Sequence, residues 1–201
     1  MLVFWEQKLV LLSVPKTGTT ALEGAFSPHA DIIMRNPPPL KHAPIYRYRR
    51  FLKPLFVQGG GADESSLKTI ALVREPVSWL SSWYRYRHRD ALIGHQNSTR
   101  GISFDDFVLE YVKGKPAPFA EVGSQAKFLT AGDDGMVVDH LYRYEAQTSL
   151  LTFLNDRLGT NVTLNQRNVS PVMDTPLSSN VLAKLREKRR AEFDVWEMGQ
   201  T

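Results

Sequence analysis

The chain has 201 residues, 42% of them hydrophobic, and it contains no cysteine. This length suits one domain spanning residues 1–201, and the lack of thiols excludes disulfides and thiolate metal sites. No metal is expected, because a lysine and backbone amides of the segment 14–20 already supply positive charge. Twenty-five Lys and Arg against 21 Asp and Glu give a net charge of +4, which favours anionic ligands but is too small to argue for nucleic acid.

Apolar and β-branched runs predict four strands, over residues 9–13, 31–34, 69–73 and 137–142. Helical spacing and capping residues predict helices over 45–56, 76–89, 103–112, 145–158 and 178–196. Because the strands alternate with helices, we expect an α/β fold in which a mainly parallel central sheet is flanked by helices.

The segment 14–20, Val-Pro-Lys-Thr-Gly-Thr-Thr, lies between the first predicted strand and a helical pattern. Backbone N–H groups at the start of a helix attract anions, and Lys16 adds a full charge. A nucleoside-triphosphate P-loop needs an earlier glycine and a Lys after the second one, whereas here Lys16 precedes the single Gly18. The segment therefore predicts a site for a smaller anionic group.

A second anion-binding element follows the strongest predicted strand. Arg74 comes at the end of that strand, Pro76 suits the first turn of a helix, and Ser82 lies two turns along it. Ligands of open parallel sheets collect at the carboxyl ends of the strands. We therefore expect Arg74 and Lys16 at the same edge of the sheet, with the planar guanidinium suited to a phosphate.

Together the two elements resemble the sulfotransferases that use 3'-phosphoadenosine 5'-phosphosulfate. That family has a loop of the form Pro-Lys-x-Gly-Thr-[Thr/Ser], matched by residues 15–20, and Arg-x-Pro with Ser eight residues after the Arg, matched by Arg74, Pro76 and Ser82. The resemblance implies a P-loop-like sulfotransferase fold and this donor as cofactor. It further implies that the 5'-phosphosulfate is bound by Lys16, Thr17, Gly18, Thr19 and Thr20, and the 3'-phosphate by Arg74 and Ser82.

The resemblance extends to residues 142–145 and 150–159, and to the C-terminal segments 168–170 and 194–196. A minor cofactor role for Asn168 or Ser170 stays open. One departure is Trp79, which stands where many carbohydrate sulfotransferases have a second Arg. Any contact made by that second Arg is therefore in doubt.

Two catalytic residues are expected. Lys16 is suited to stabilising the charge on the departing oxygen, and His42, which follows a triple-proline loop, is favoured as general base. Surface or packing roles are expected for the other four histidines, His29, His88, His95 and His140. If none of the histidines serves, the base could be Glu64, Glu121 or Asp139.

The predicted function is sulfuryl transfer to a hydroxyl of a small molecule or carbohydrate. The alternatives are a nucleotide or nucleoside kinase with a degenerate P-loop, and a non-catalytic nucleotide-sensing module. Since no apolar run reaches the length of a membrane span, we expect a cytoplasmic protein with no membrane partner. The oligomeric state is left open.

Two stretches, 46–50 and 83–89, interleave Arg with Tyr or Trp. One interpretation is that they hold a sugar, an acidic glycan or the adenine ring. The favoured interpretation is that they form solvated helix faces with aromatic side chains packed beneath.

Overall fold

The computed structural model describes residues 1–131, 136–164 and 173–201. A five-stranded sheet and a two-stranded sheet form within these residues. The strands are β1 (Leu2–Phe4), β2 (Leu9–Leu11), β3 (Ile32–Ile33), β4 (Lys68–Val73), β5 (Thr130–Ala131), β6 (Met136–Val137) and β7 (His140–Arg143). The large sheet has the order β3-β1-β2-β4-β7, and β5 pairs with β6.

The fold is α/β, but the sheet is mixed rather than mainly parallel. Strands β2, β4 and β7 run parallel, whereas β1 is antiparallel to both of its neighbours, β2 and β3. The sequence prediction missed β1, which pairs with β2 through a short turn at residues 5–8. The predicted strand over 137–142 is also divided, because residue 137 pairs in the small sheet, 138–139 lie between strands, and 140–142 belong to β7.

The described helices are α1 (Thr19–Phe26), α2 (Pro38–Lys41), α3 (Ile45–Arg47), α4 (Pro76–Arg87), α5 (Phe104–Tyr111), α6 (Gln125–Leu129), α7 (Gln147–Leu158), α8 (Ser179–Lys188) and α9 (Arg190–Glu197). Helix α3 continues as π-helix over Tyr48–Leu52 and Leu55–Gly59. The single helix predicted for 178–196 is two helices, because Arg189 leaves the helical conformation between them. Helices α2 and α6 were not predicted.

Helices cover both faces of the large sheet, because successive strand residues point to opposite faces and both sets are apolar. Val10 and Ala71 point to a core formed with helical segment 45–59 and α6. Their neighbours Leu11 and Leu72 point to the opposite core, which contains apolar side chains of α1 and α7. A third apolar cluster joins α4, α5, α8 and α9. Of the helices that the structure describes, none is long and apolar enough to cross a membrane.

Candidate functional site

The carboxyl ends of three parallel strands meet at one edge of the sheet. The loop 14–18 follows β2, Arg74 follows β4 and Tyr144 follows β7. The Arg74 Nη1 atom lies 3.2 Å from the Lys16 carbonyl oxygen, and its guanidinium carbon lies 4.5 Å from the centre of the Tyr144 ring. The two anion-binding elements predicted from the sequence are therefore in direct contact.

Three successive carbonyl groups hold the loop from behind. The Val14 oxygen accepts from the Thr17 hydroxyl at 2.9 Å, the Pro15 oxygen from the Trp79 indole N–H at 2.9 Å, and the Lys16 oxygen from Arg74. Trp79 thus anchors the loop at the position where related patterns carry Arg. Thr17 is fully buried, so its hydroxyl supports the loop from within and is not exposed to a ligand.

Several backbone N–H groups of the same loop have no acceptor within the described part of the chain. Among the described residues, no protein acceptor is found for the N–H groups of Lys16, Gly18, Thr19 and Thr20, and Ala21 donates to Gly18. The N–H of Thr17 lies in a turn that begins at Val14 and is buried. Lys16 and Gly18 both have left-handed backbone conformations, with φ of 67° and 74°. Left-handed residues at such positions can turn neighbouring N–H groups toward one point, as in the nests that bind anions in proteins.

Gly18 is required at the start of α1 for two reasons. Its positive φ disfavours any residue with a β-carbon. A β-carbon would also lie 3.0 Å from the Gln147 side-chain nitrogen and 3.1 Å from the Tyr144 ring. The loop is therefore packed tightly against the segment that follows β7, which fixes the position of its N–H groups.

The Lys16 ammonium lies beside α4, in a region rich in positive charge. It lies 4.3 Å from the centre of the Tyr86 ring. Burial, followed by the nearby Arg89, Arg74 and Arg85, lowers the pKa of Lys16 to about 8. Within the described part of the chain, no carboxylate oxygen lies within 4.0 Å of the charged nitrogens of these four cations. The site thus has a positive charge that a bound anion can neutralise.

A serine in the first turn of α4 contacts Arg74. The Arg74 Nε atom donates to the Ser78 hydroxyl at 2.9 Å. The sequence-predicted Ser82 lies one turn further along and is buried, with 4% of its surface exposed. Ser78 was not singled out from the sequence, although its spacing of four residues from Arg74 at the start of a helix was a usable signal.

The backbone of Arg74 is held by Gln125 of α6, which the sequence analysis also missed. Its side-chain oxygen accepts from the Arg74 N–H and its side-chain nitrogen donates to the Arg74 oxygen, both at 2.9 Å. Gln125 is in turn held by Glu192, whose carboxylate accepts its backbone N–H at 3.0 Å. Burial raises the pKa of Glu192. Helices α6 and α9 therefore position Arg74.

We expect Gln125→Met to lower the free energy of unfolding by about 1–3 kcal/mol, because methionine leaves two partly buried backbone groups of Arg74 without partners. Urea unfolding followed by circular dichroism measures this change. Gln58→Met, at an exposed position, serves as control and is expected to change the free energy by less than about 0.5 kcal/mol. Equal effects of the two substitutions would show that Gln125 does not hold Arg74 in this way.

His42 lies beside the start of the loop. Its Nδ1 atom is 2.6 Å from the Ser13 carbonyl oxygen, and because a carbonyl only accepts, this nitrogen carries the proton and Nε2 has a free lone pair. Burial lowers the pKa of His42, which favours the neutral form. The preceding Lys41 pairs with the buried Glu23 of α1 at 2.7 Å and fixes this part of the chain.

The other candidate bases lie elsewhere or have other partners. Asp139 lies before β7, at the opposite edge of the sheet, where its carboxylate accepts from the N–H and hydroxyl of Thr69 at 2.7 and 2.6 Å. Glu64 pairs with Lys53 at 3.4 Å, and Glu121 is exposed. The remaining histidines have local contacts: His88 with Tyr84, His95 with Asn97 and His140 with Phe153, while His29 ends a short helical turn.

Asn168 and Ser170, for which a minor cofactor role was left open, lie outside the described residues. Within the described ranges no cluster of His, Asp and Glu side chains could hold a metal ion.

Thr175, in the described C-terminal part of the chain, contacts Ser81 of α4, with 2.7 Å between their hydroxyl oxygens. The chain after residue 172 therefore returns to the helix that carries Ser78 and Arg85.

Comparison with models of protein families, with curated proteins and with solved structures gives no match to this chain.

Proposed function

We propose that the protein is a sulfotransferase that moves the sulfuryl group of 3'-phosphoadenosine 5'-phosphosulfate to a hydroxyl of a small molecule or carbohydrate, within a P-loop-like fold. The observation that carries this proposal is the contact between Arg74 and the Lys16 carbonyl at 3.2 Å. This contact brings the N–H groups of the loop and the Arg74 guanidinium together, so that one site offers two elements that can bind anions. A donor with a phosphosulfate and a separate phosphate requires such a pair.

The chemistry of the surrounding side chains suits this donor. The phosphosulfate would be held by the loop N–H groups, by the Lys16 ammonium, and by the hydroxyls of Thr19 and Thr20, which are half-buried and exposed. Arg74 would hold the 3'-phosphate together with Ser78 and, as the sequence motif implies, Ser82. Glu75 and Glu145 lie near Arg74, but among the described residues no carboxylate oxygen lies within 4.0 Å of the charged nitrogens of these cations. Such a cluster of like charges is more favourable when an anion is bound.

The donor supplies a sulfuryl group on a phosphate leaving group. In the transfer, the bond from sulfur to the bridging oxygen breaks and a bond from sulfur to the acceptor oxygen forms. Lys16 would stabilise the negative charge that develops on the bridging oxygen, which is the usual role of a preorganised donor. His42 would take the acceptor's proton on Nε2, because its Nδ1 already donates to Ser13.

A kinase is the alternative enzyme. The loop has a single glycine, and its Lys16 precedes that glycine, whereas a P-loop wraps a triphosphate with two glycines and a Lys after the second. A nucleotide-sensing module is the non-enzymatic alternative. It would need the same anion site but no general base. The neutral, hydrogen-bonded His42 beside the loop favours an enzyme.

Calorimetry with adenosine 3',5'-bisphosphate, 5'-AMP and ATP tests the donor assignment. We expect the bisphosphate to bind at least about tenfold more tightly than 5'-AMP or ATP, because Arg74 contributes a charge-assisted contact to the 3'-phosphate. Arg74→Met is expected to remove the preference over 5'-AMP. Arg190→Met, at an exposed position of α9, should keep it. Tighter binding of ATP would support the kinase instead.

Sulfate transfer is tested with radiolabelled donor and a panel of phenols, alcohols and sugars. The sulfotransferase proposal requires labelled product from at least one acceptor. Tight binding of the bisphosphate without labelled product from any acceptor would favour the sensing module.

A further inference from the structure

The helical segment 45–59 has an apolar and cationic outer face, defined by Tyr46, Arg47, Arg50, Phe51 and Leu55. The three apolar members are exposed by 46%, 60% and 59% in chain order. Much of the segment is π-helical, so its hydrogen bonds connect residues five apart, and residues four or five apart share one side. Tyr46, Phe51 and Leu55 have these intervals.

The opposite side of the same segment is fixed in the core. Ile45, Tyr48 and Phe56 are buried, with 0%, 1% and 4% of their surfaces exposed. They pack with residues of β1, β2 and β4. Because this side cannot leave the core without unfolding, Phe51 and Leu55 cannot turn inward. Two large apolar side chains are therefore held in solvent, and π-helical turns are frequently found at functional sites.

Positive charge surrounds these apolar side chains. Segment 45–59 contains four Lys or Arg and no Asp or Glu. Its net charge of +4 therefore equals the net charge of the whole chain. Arg47 lies 5.8 Å from the Tyr46 ring centre and Arg50 lies 5.2 Å from the Phe51 ring centre. Neither Arg forms an ion pair within the described residues, whereas Lys53 pairs with Glu64.

We propose that the outer face binds the surface of an anionic lipid bilayer, with Phe51 and Leu55 entering the interface and Arg47 and Arg50 contacting lipid phosphates. Apolar side chains ringed by Arg are complementary to a surface that has negative head groups above hydrocarbon. A soluble polyanion could bind the Arg side chains, but it has no apolar region into which Leu55 could insert.

The expectation of no membrane partner is revised by this proposal. That expectation depended on the lack of an apolar run long enough to span a bilayer. Binding at the surface requires no such run. It also requires no nucleotide, so the proposal is independent of the proposed sulfotransferase activity.

The test is co-sedimentation of the full chain, without nucleotide, with vesicles of phosphatidylcholine alone or with added phosphatidylserine. We expect binding only to the anionic vesicles, and a loss of about fivefold in affinity for each Arg removed in Arg47→Gln/Arg50→Gln. Phe51→Ser/Leu55→Ser is expected to lose roughly tenfold or more. These substitutions are at exposed positions, and thermal unfolding checks that each variant is folded.

The matched controls are Ile93→Ser/Met198→Ser, at apolar positions that are 63% and 59% exposed, and Arg186→Gln/Arg190→Gln on α8 and α9. Both should bind vesicles as the unaltered chain does. Lack of binding to anionic vesicles overturns the proposal. So does vesicle binding that is unchanged in Phe51→Ser/Leu55→Ser, because that result means a purely ionic attraction that any polyanion could satisfy. Binding to heparin but not to vesicles also overturns it.

Discussion

Lys16→Ala is expected to lower the turnover of sulfuryl transfer by about 10²–10³-fold, the usual effect of removing one preorganised donor to a developing negative charge. The ammonium lies beside α4, 4.3 Å from the Tyr86 ring centre. Lys16 is the only charged residue of the loop 14–20, so no other side chain of the loop can replace its charge. The measurement is the turnover number with radiolabelled donor and any acceptor that the panel identifies.

Lys8→Ala is the matched control for this substitution. Lys8 also has a positive φ, of 55°, and its ammonium also lies over an aromatic ring, 4.6 Å from the centre of Trp5. It precedes β2, however, so it lies at the opposite edge of the sheet from the candidate site. Lys8→Ala should therefore keep normal turnover, and a Lys16→Ala variant that is folded and equally active would disprove the role given to Lys16.

The pH dependence of binding follows from the same charge. In the free protein burial and neighbouring Arg side chains lower the pKa of Lys16 to about 8, whereas a bound anion stabilises the ammonium and raises that pKa. Binding therefore takes up a proton above this pH. Affinity for the bisphosphate should fall by up to about tenfold for each pH unit above 8, and calorimetry on Lys16→Ala should show no such fall.

The placement of the loop at 14–20 beside Arg74 was predictable from the sequence because the signals for both are local. The loop at 14–20 and the Arg74 junction each occupy a few consecutive residues between a strand and a helix. Their meeting at one edge follows from the parallel pairing of β2 with β4. The mixed sheet was not predictable in the same way, because β1 is a three-residue strand with no polar alternation to distinguish it.

The side chains that hold the site were missed because their partners are distant in the chain. Gln125 binds the backbone of Arg74 across 51 positions, and Trp79 binds the Pro15 oxygen across 64. Neither contact has a sequence spacing that would indicate it. Trp79 appeared from the sequence as a departure from a motif, and the structure shows that it anchors the loop instead.

The outer face of segment 45–59 shows a different limit. The sequence predicts a helix there, and interleaved Arg and aromatic residues favoured a solvated face with aromatic side chains beneath it. Within 46–50, Tyr48 does pack beneath, but Tyr46 is 46% exposed, and the next residue after the stretch, Phe51, is 60% exposed. In a π-helix, different residues face outward than in an α-helix. No local pattern of apolar residues in the sequence distinguishes a π-helix from an α-helix.

His42→Ala is expected to lower turnover by about 10²–10⁴-fold, the range for loss of a general base. The neutral imidazole is the active form, so turnover should fall as the pH drops through the pKa of His42. In the free protein, burial lowers that pKa from its ordinary value of 6.5, which puts the acid limb of the pH profile of kcat/KM below pH 6.5. The limb should be absent from the residual activity of His42→Ala.

His42→Asn separates the chemical role of the side chain from its structural role. The asparagine amide can donate to the Ser13 oxygen as Nδ1 does, but it cannot accept a proton at neutral pH. We therefore expect this variant to be as stable as the unaltered chain and as inactive as His42→Ala. His140→Ala, at the opposite edge of the sheet, should keep both turnover and acid limb. If His42→Asn were active and kept the acid limb, the base would be a carboxylate, and Asp139 would still be disfavoured because both of its bonds to Thr69 lie at the far edge.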